Sequence, residues 1–134
     1  MYDALTVEVL DRSECEKYLR ERLLGRVVFV DSLMLAVHPV RYAVEGNYIL
    51  FRTPHGAKLR AAAQRKMLAF ETDHIDPGTG HGWSVVASGY AEHVTEPYEI
   101  QRLSDMVPIL WSPAEGTDLV RLFIDILQGR RYRA

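Results

Sequence analysis

The segment Phe51-Arg52-Thr53-Pro54-His55-Gly56-Ala57-Lys58-Leu59 concentrates the groups that a phosphate monoester requires. It reads as a strand passing into a helix from about Pro54 to Arg65. Thr53 can cap that helix, and Pro54 suits its first turn. A helix start offers free amide hydrogens and positive dipole. Arg52 at the strand end and Lys58 one turn into the helix can converge on the same point. Charge-assisted hydrogen bonds contribute roughly 1.5–3 kcal/mol each, so two or three suffice to hold a phosphate. The same residues also describe a capped surface helix whose basic face, continued by Arg60, Arg65 and Lys66, is simply solvated.

Other groups with chemical potential are less concentrated. His81-Gly82-Trp83-Ser84-Val85-Val86 opens a long strand with an aromatic ring and a hydroxyl on opposite faces. The five histidines, His38, His55, His74, His81 and His93, show no i,i+4 pair on a helix and no H-x-H on a strand. His74 with Asp73 and Asp76 reads as a polar turn before it reads as a metal site. Glu71 and Asp73 alternate on one strand, without a neighbour in sequence to make them an acid/base pair. No G-x-S-x-G elbow or Walker loop occurs, and Gly78-Thr79-Gly80 lacks the strand–helix setting of a dinucleotide fingerprint. Cys15 is the sole cysteine, so neither an internal disulfide nor a multi-thiolate metal site is expected.

The elements that must position these groups are mostly strands. Ser13-Glu14-Cys15-Glu16 reads as a capping box opening a helix with Cys15, Leu19 and Leu23 on one face and Gly25 as its stop. Strands are expected over 25–32, 33–44, 48–52, 67–73 and 83–94, with Pro39 marking an edge, bulge or bend and Glu45-Gly46-Asn47 a hairpin turn. A short helix begins near Pro97 and carries Ile100, Leu103 and Val107. The last strand alternates: Val120, Leu122, Ile124 and Ile126 suit a barrel interior. Its other face, with Leu119, Arg121, Phe123, Asp125 and Leu127, suits a surface that meets a partner. Six strands joined mainly by hairpins suggest a small antiparallel barrel, whose closure removes its edges.

Composition bounds the rest. The 134 residues suit one domain over 1–134, and 48% hydrophobic with 25% charged content is that of a globular chain. A net charge of −2 argues against a dedicated nucleic-acid binder. No apolar run reaches the roughly 18–20 residues of a membrane helix, and the acidic N-terminal stretch does not read as a signal peptide. A cytoplasmic location is the expectation. So small a domain has little room for a private pocket, so it must bind at its surface or borrow walls from a partner subunit.

Three segments in order carry a family likeness: His38-Pro39-Val40-Arg41-Tyr42 with Glu45-Gly46, then Phe51-Arg52-Thr53 with Gly56-Ala57-Lys58-Leu59, then Gly82-Trp83-Ser84-Val85-Val86 leading to Gly89-Tyr90-Ala91-Glu92. The pattern resembles the pyridoxamine 5′-phosphate oxidase-like family of flavin-binding split β-barrels, most of all its small single-domain, nitroimidazole-resistance-type branch. It spans about Leu23 to Tyr132. The resemblance implies a mainly β fold, a six-stranded antiparallel split barrel with peripheral helices. It also implies a homodimer with two flavin sites at the subunit interface. By that likeness Arg52, Thr53 and Lys58, followed by Leu59, would bind the phosphate of FMN. Val40, Arg41 and Tyr42 would lie along the isoalloxazine ring. Trp83 and Ser84 would approach the flavin, often from the other subunit. His38 stands where relatives often carry an apolar residue. The chain lacks the C-terminal segment with which pyridoxamine phosphate oxidases bind substrate, so vitamin B6 oxidation is not expected.

The function implied is an FMN-dependent oxidoreductase passing electrons or hydride to a small acceptor, with no protein acid or base nominated. The alternatives within the same fold are a deazaflavin coenzyme, which would need a basic groove drawing on Arg60, Arg65 and Lys66, a haem ligated through His38 or His74, and a non-catalytic ligand-binding dimer.

Overall fold

The apolar runs and turn signals of the chain become, in order, β1 (Thr6–Val9), α1 (Arg12–Leu19), β2 (Leu24–Asp31), β3 (Met34–Glu45), β4 (Tyr48–Pro54), α2 (Ala57–Ala63), β5 (Met67–Ile75), β6 (Gly82–His93), α3 (Pro97–Ser104), β7 (Thr117–Phe123) and β8 (Ile126–Arg133). They belong to a computed structural model that describes residues 5–54, 56–111 and 117–133.

Six strands close into an antiparallel barrel, β2 to β3, β4, β7, β6, β5 and back to β2. The predicted six-stranded split barrel is therefore present. β8 and β1 lie outside this circuit: β8 pairs with the first half of β6, and β1 with β8. The split runs through β6. Gly82–Ser88 pair with β8, and Ala91–His93 pair with β7. Gly89 sits at the fork, where a Cβ would lie 1.7 Å from the Phe123 carbonyl oxygen. Only glycine lets the two strands come that close. β3 divides in the same way, pairing with β2 up to Arg41 and with β4 from Tyr42. Pro39 falls in the half that has no β4 beside it, which is the edge its missing N–H requires.

The barrel interior holds Val27, Val40, Tyr42, Ile49, Phe51, Phe70, Val85, Val120 and Leu122. A second core forms where α3 covers the outside of β4 and β7, burying Tyr48, Leu50, Leu103, Val107 and Leu119. β4 is thus buried on both faces, which is why it reads as the unbroken apolar run Tyr48–Phe51.

Several local expectations are corrected. α1 starts two residues earlier than the Ser13 box, with Asp11 as cap and its carboxylate accepting from the Glu14 amide at 2.8 Å. The helix ends at Leu19, so Leu23 is not on its face and is 60% exposed, while Gly25 belongs to β2 under the Phe70 ring. Ser32 and Leu33, both at positive φ, form the β2–β3 turn, and β3 begins at Met34. The long last strand is two strands: β7 stops at Phe123, the chain turns at Asp125, and β8 follows. The mixed face of β7 meets α3, not a partner: Leu119 is in the α3 core and Arg121 pairs with Glu92 and Glu99. The Glu45–Tyr48 hairpin and the Pro97 helix start stand as expected, the latter with Glu96 accepting from the Tyr98 and Glu99 amides.

Candidate functional site

α2 plugs one end of the barrel. Ala61 and Ala62 are buried against it, and Lys58, three and four residues earlier, shares their face. Lys58 is therefore only 7% exposed, and its side chain lines a cleft of about 420 Å³. His38 and Arg41 of β3, Arg52 of β4 and Lys58 of α2 bring four basic side chains to this cleft, and no carboxylate is among its described lining residues. Pro108, Ile109, Leu110 and Trp111 form the opposite, apolar wall. Ile109, Leu110 and Trp111 each keep more than half of their surface open.

The four bases are not equivalent. Among the described residues, nothing hydrogen-bonds or pairs with the Lys58 ammonium. Burial pushes its pKa down to about 8. His38 is also lowered, by burial first and then by the charge of Lys58, and its ring lies 5.4 Å from that of Phe29. The Arg41 guanidinium donates to the Tyr42 carbonyl. Arg52 is committed elsewhere: its Nε donates to the Val107 carbonyl at 2.6 Å, its Nη2 to the Ser104 carbonyl at 2.9 Å and its Nη1 to the Thr117 hydroxyl at 3.4 Å. Alternation along β4 explains this. Arg52 follows Tyr48 and Leu50 on the α3 face, so its guanidinium meets the carbonyl end of α3.

The other predicted residues have these places. Thr53 is on the barrel face, fully buried, its hydroxyl donating to the Pro54 carbonyl. It does not cap α2, whose cap position is Gly56, and Pro54 ends β4 instead of opening the helix. Leu59 is half-buried on α2. Val40 and Tyr42 point into the core, and the Tyr42 hydroxyl donates to the Leu19 carbonyl at 2.6 Å. Trp83 stacks on Tyr18 of α1, with ring centroids 4.8 Å apart. Ser84, on the outer face of β6, lies 3.1 Å from the Tyr132 hydroxyl. Within one chain neither Trp83 nor Ser84 lines the cleft. His55 lies outside the described residues. Asp76 closes its loop by accepting the Gly78 and Thr79 amides, and Glu71 and Asp73 share Arg26 of β2 at 2.9 and 3.5 Å. The Pro108–Trp111 wall escaped the sequence reading. Its signal is an apolar run just past a helix that already has its core residues.

A family model described as pyridoxamine 5′-phosphate oxidase matches residues 11–131. The chain belongs to the pyridoxamine 5′-phosphate oxidase family. Among solved structures, this family member is similar to a candidate pyridoxamine 5′-phosphate oxidase of Corynebacterium glutamicum, with TM-score 0.80 and 30% identity over 96% of this chain and 100% of that one. It is similar to the FAD binding protein of Mycobacterium smegmatis, with TM-score 0.71 and 29% identity over 96% of this chain and 100% of that one. It shares its fold with a candidate 5-nitroimidazole antibiotic resistance protein of Bacteroides thetaiotaomicron, with TM-score 0.78 and 12% identity over 98% of this chain and 91% of that one. No helix among the described residues is long and apolar enough to cross a membrane.

Proposed function

We propose that this chain is a flavin-binding oxidoreductase whose cleft takes the cofactor by its phosphate at Lys58. The observation that carries the reading is a lysine only 7% exposed, with no counter-ion among the described residues, lining a cleft that also holds basic groups and an apolar wall. An unpaired buried cation is costly, and a phosphate relieves that cost. The apolar wall suits a flat ring system and keeps water from it. The flavin supplies the hydride or electron transfer, and the protein binds and orients it. Lys58 holds the phosphate, Arg41 adds positive charge beside it, and Pro39 with the Ile109–Trp111 wall borders the space for the ring.

FMN is the proposed form. FAD is the second reading, favoured by the FAD binding neighbour and by the half-exposed Trp111, which extends the apolar wall for a second ring. The working unit is proposed as a cytoplasmic homodimer. β2, β3, β5 and β6 expose Leu24, Val30, Leu35, Val37, Met67 and Val86, a broad apolar face that a second copy would cover. Ser84 lies on that side of β6 and would reach a flavin only across the interface.

The test is an absorbance spectrum of the freshly purified protein, with the cofactor released by denaturation and separated from FMN and FAD standards. Flavin bands and one of the two standards are expected. A colourless protein whose melting temperature neither FMN nor FAD changes would sink the reading.

A further inference from the structure

We infer that Arg52 is a positioning residue: it holds the aromatic wall against the cleft, and the anion belongs to Lys58. This inference rests on the flavin reading and refines it, because the sequence pattern gives Arg52 and Lys58 the same task. The geometry separates them. Lys58 is a buried cation without a partner among the described residues. Arg52 instead spans two backbone carbonyls, Ser104 in the last turn of α3 and Val107 just beyond it. The Ser104 carbonyl is one that a helix end leaves unpaired, and a forked cation satisfies it together with the Val107 carbonyl that follows. Pro108 follows Val107 directly, so the same contacts fix where the wall of Ile109, Leu110 and Trp111 begins. Thr117, on the far side of the connection, receives the third arm of the fork. A phosphate that drew Arg52 away would strand both carbonyls and release the wall. The wall meets the ligand's ring, which FMN and riboflavin share, whereas Lys58 meets the phosphate, which only FMN carries.

The experiment measures FMN and riboflavin affinity for the full chain and its variants. Lys58→Met is expected to weaken FMN by about tenfold to a hundredfold and leave riboflavin unchanged. Arg52→Met is expected to weaken both ligands by a similar factor, about tenfold, so that their ratio stays that of the wild type. Arg52→Lys keeps the charge but not the fork, and is expected to behave like Arg52→Met. Trp111→Ala, which leaves Arg52 untouched at a half-exposed site, is expected to reproduce the uniform loss. The inference is overturned if Arg52→Met selectively abolishes the FMN preference and Arg52→Lys restores it, or if Trp111→Ala leaves both affinities unchanged. If the wild type binds neither flavin, the flavin reading has failed by itself. The Arg52 assignment is then tested with inorganic phosphate, as protection of Lys58 from acylation. Equal protection in wild type and Arg52→Met supports the assignment, and loss of protection in Arg52→Met refutes it.

Discussion

At the scale of the residue, burial separates groups that sequence spacing treats alike. Lys58 has its pKa lowered to about 8 by burial, so between that value and the ordinary lysine range the unfolded chain binds more protons than the folded one. The stability of the ligand-free protein should therefore rise as pH increases through that window, and Lys58→Met should flatten the rise in a series of thermal melts. Anion binding runs the opposite way, with FMN affinity expected to fall as pH climbs past about 8 in a titration at constant salt. Glu71 shows the reverse sign. Burial, then the neighbouring Asp73, raise its pKa to about 7 despite Arg26. Between the ordinary carboxylate range and about 7 the folded state holds the extra proton, so stability should decline as pH rises through that interval. Glu71→Gln should remove the decline, measured as urea midpoints between pH 5 and 8 on the order of one pH unit apart. Tyr42 belongs to the same scale, its hydroxyl being spent on the Leu19 carbonyl at the end of α1.

At the scale of the element, most of the barrel was legible in the chain. Alternation, the Glu45–Tyr48 turn and the Pro97 helix start marked out the six barrel strands along the chain, because these signals are local. What could not be read depends on distant partners. β8 exists as a strand because β6 offers it an edge, and β1 because β8 does, and the Gly129–Arg133 stretch shows little apolar alternation of its own. The cluster of Arg131 with Glu8, Glu14 and Tyr18 joins three elements far apart in sequence. The mixed face of β7 looked like a partner surface since nothing nearby announced that α3 would cover it. At the candidate site the motif holds Arg52 and Lys58, which share one cleft, but it could not say which of the two lacks a partner among the described residues. That depended on α3 ending above Arg52. Gly89 gives this scale its prediction. Alanine there would drive a methyl group into the Phe123 carbonyl, at a cost of about 3 kcal/mol or more, read as a lowered denaturant midpoint.

At the scale of the whole molecule, the distribution of apolar surface matters more than its amount. One face of the barrel is closed by α3 and its ion pairs, while the β2–β3 side leaves Leu35 79% exposed beside Val30 and Val37. Sedimentation of the wild type should give the mass of two chains, and Leu35→Glu with Val37→Glu should give one, with flavin affinity reduced in step. The division of β6 has a separate consequence, in the order in which backbone amides meet solvent. β6 has β5 on one side for most of its length, and β8 and then β7 on the other, so its amides are enclosed by neighbouring strands. The first half of β3 has only β2. Placed in heavy water, the monomeric variant should take up deuterium early along Met34–His38 and last along β6. The strand that forks between the two halves of the barrel would then be the clock of its opening: the open edge of β3 gives way first, and the enclosed amides of β6 last.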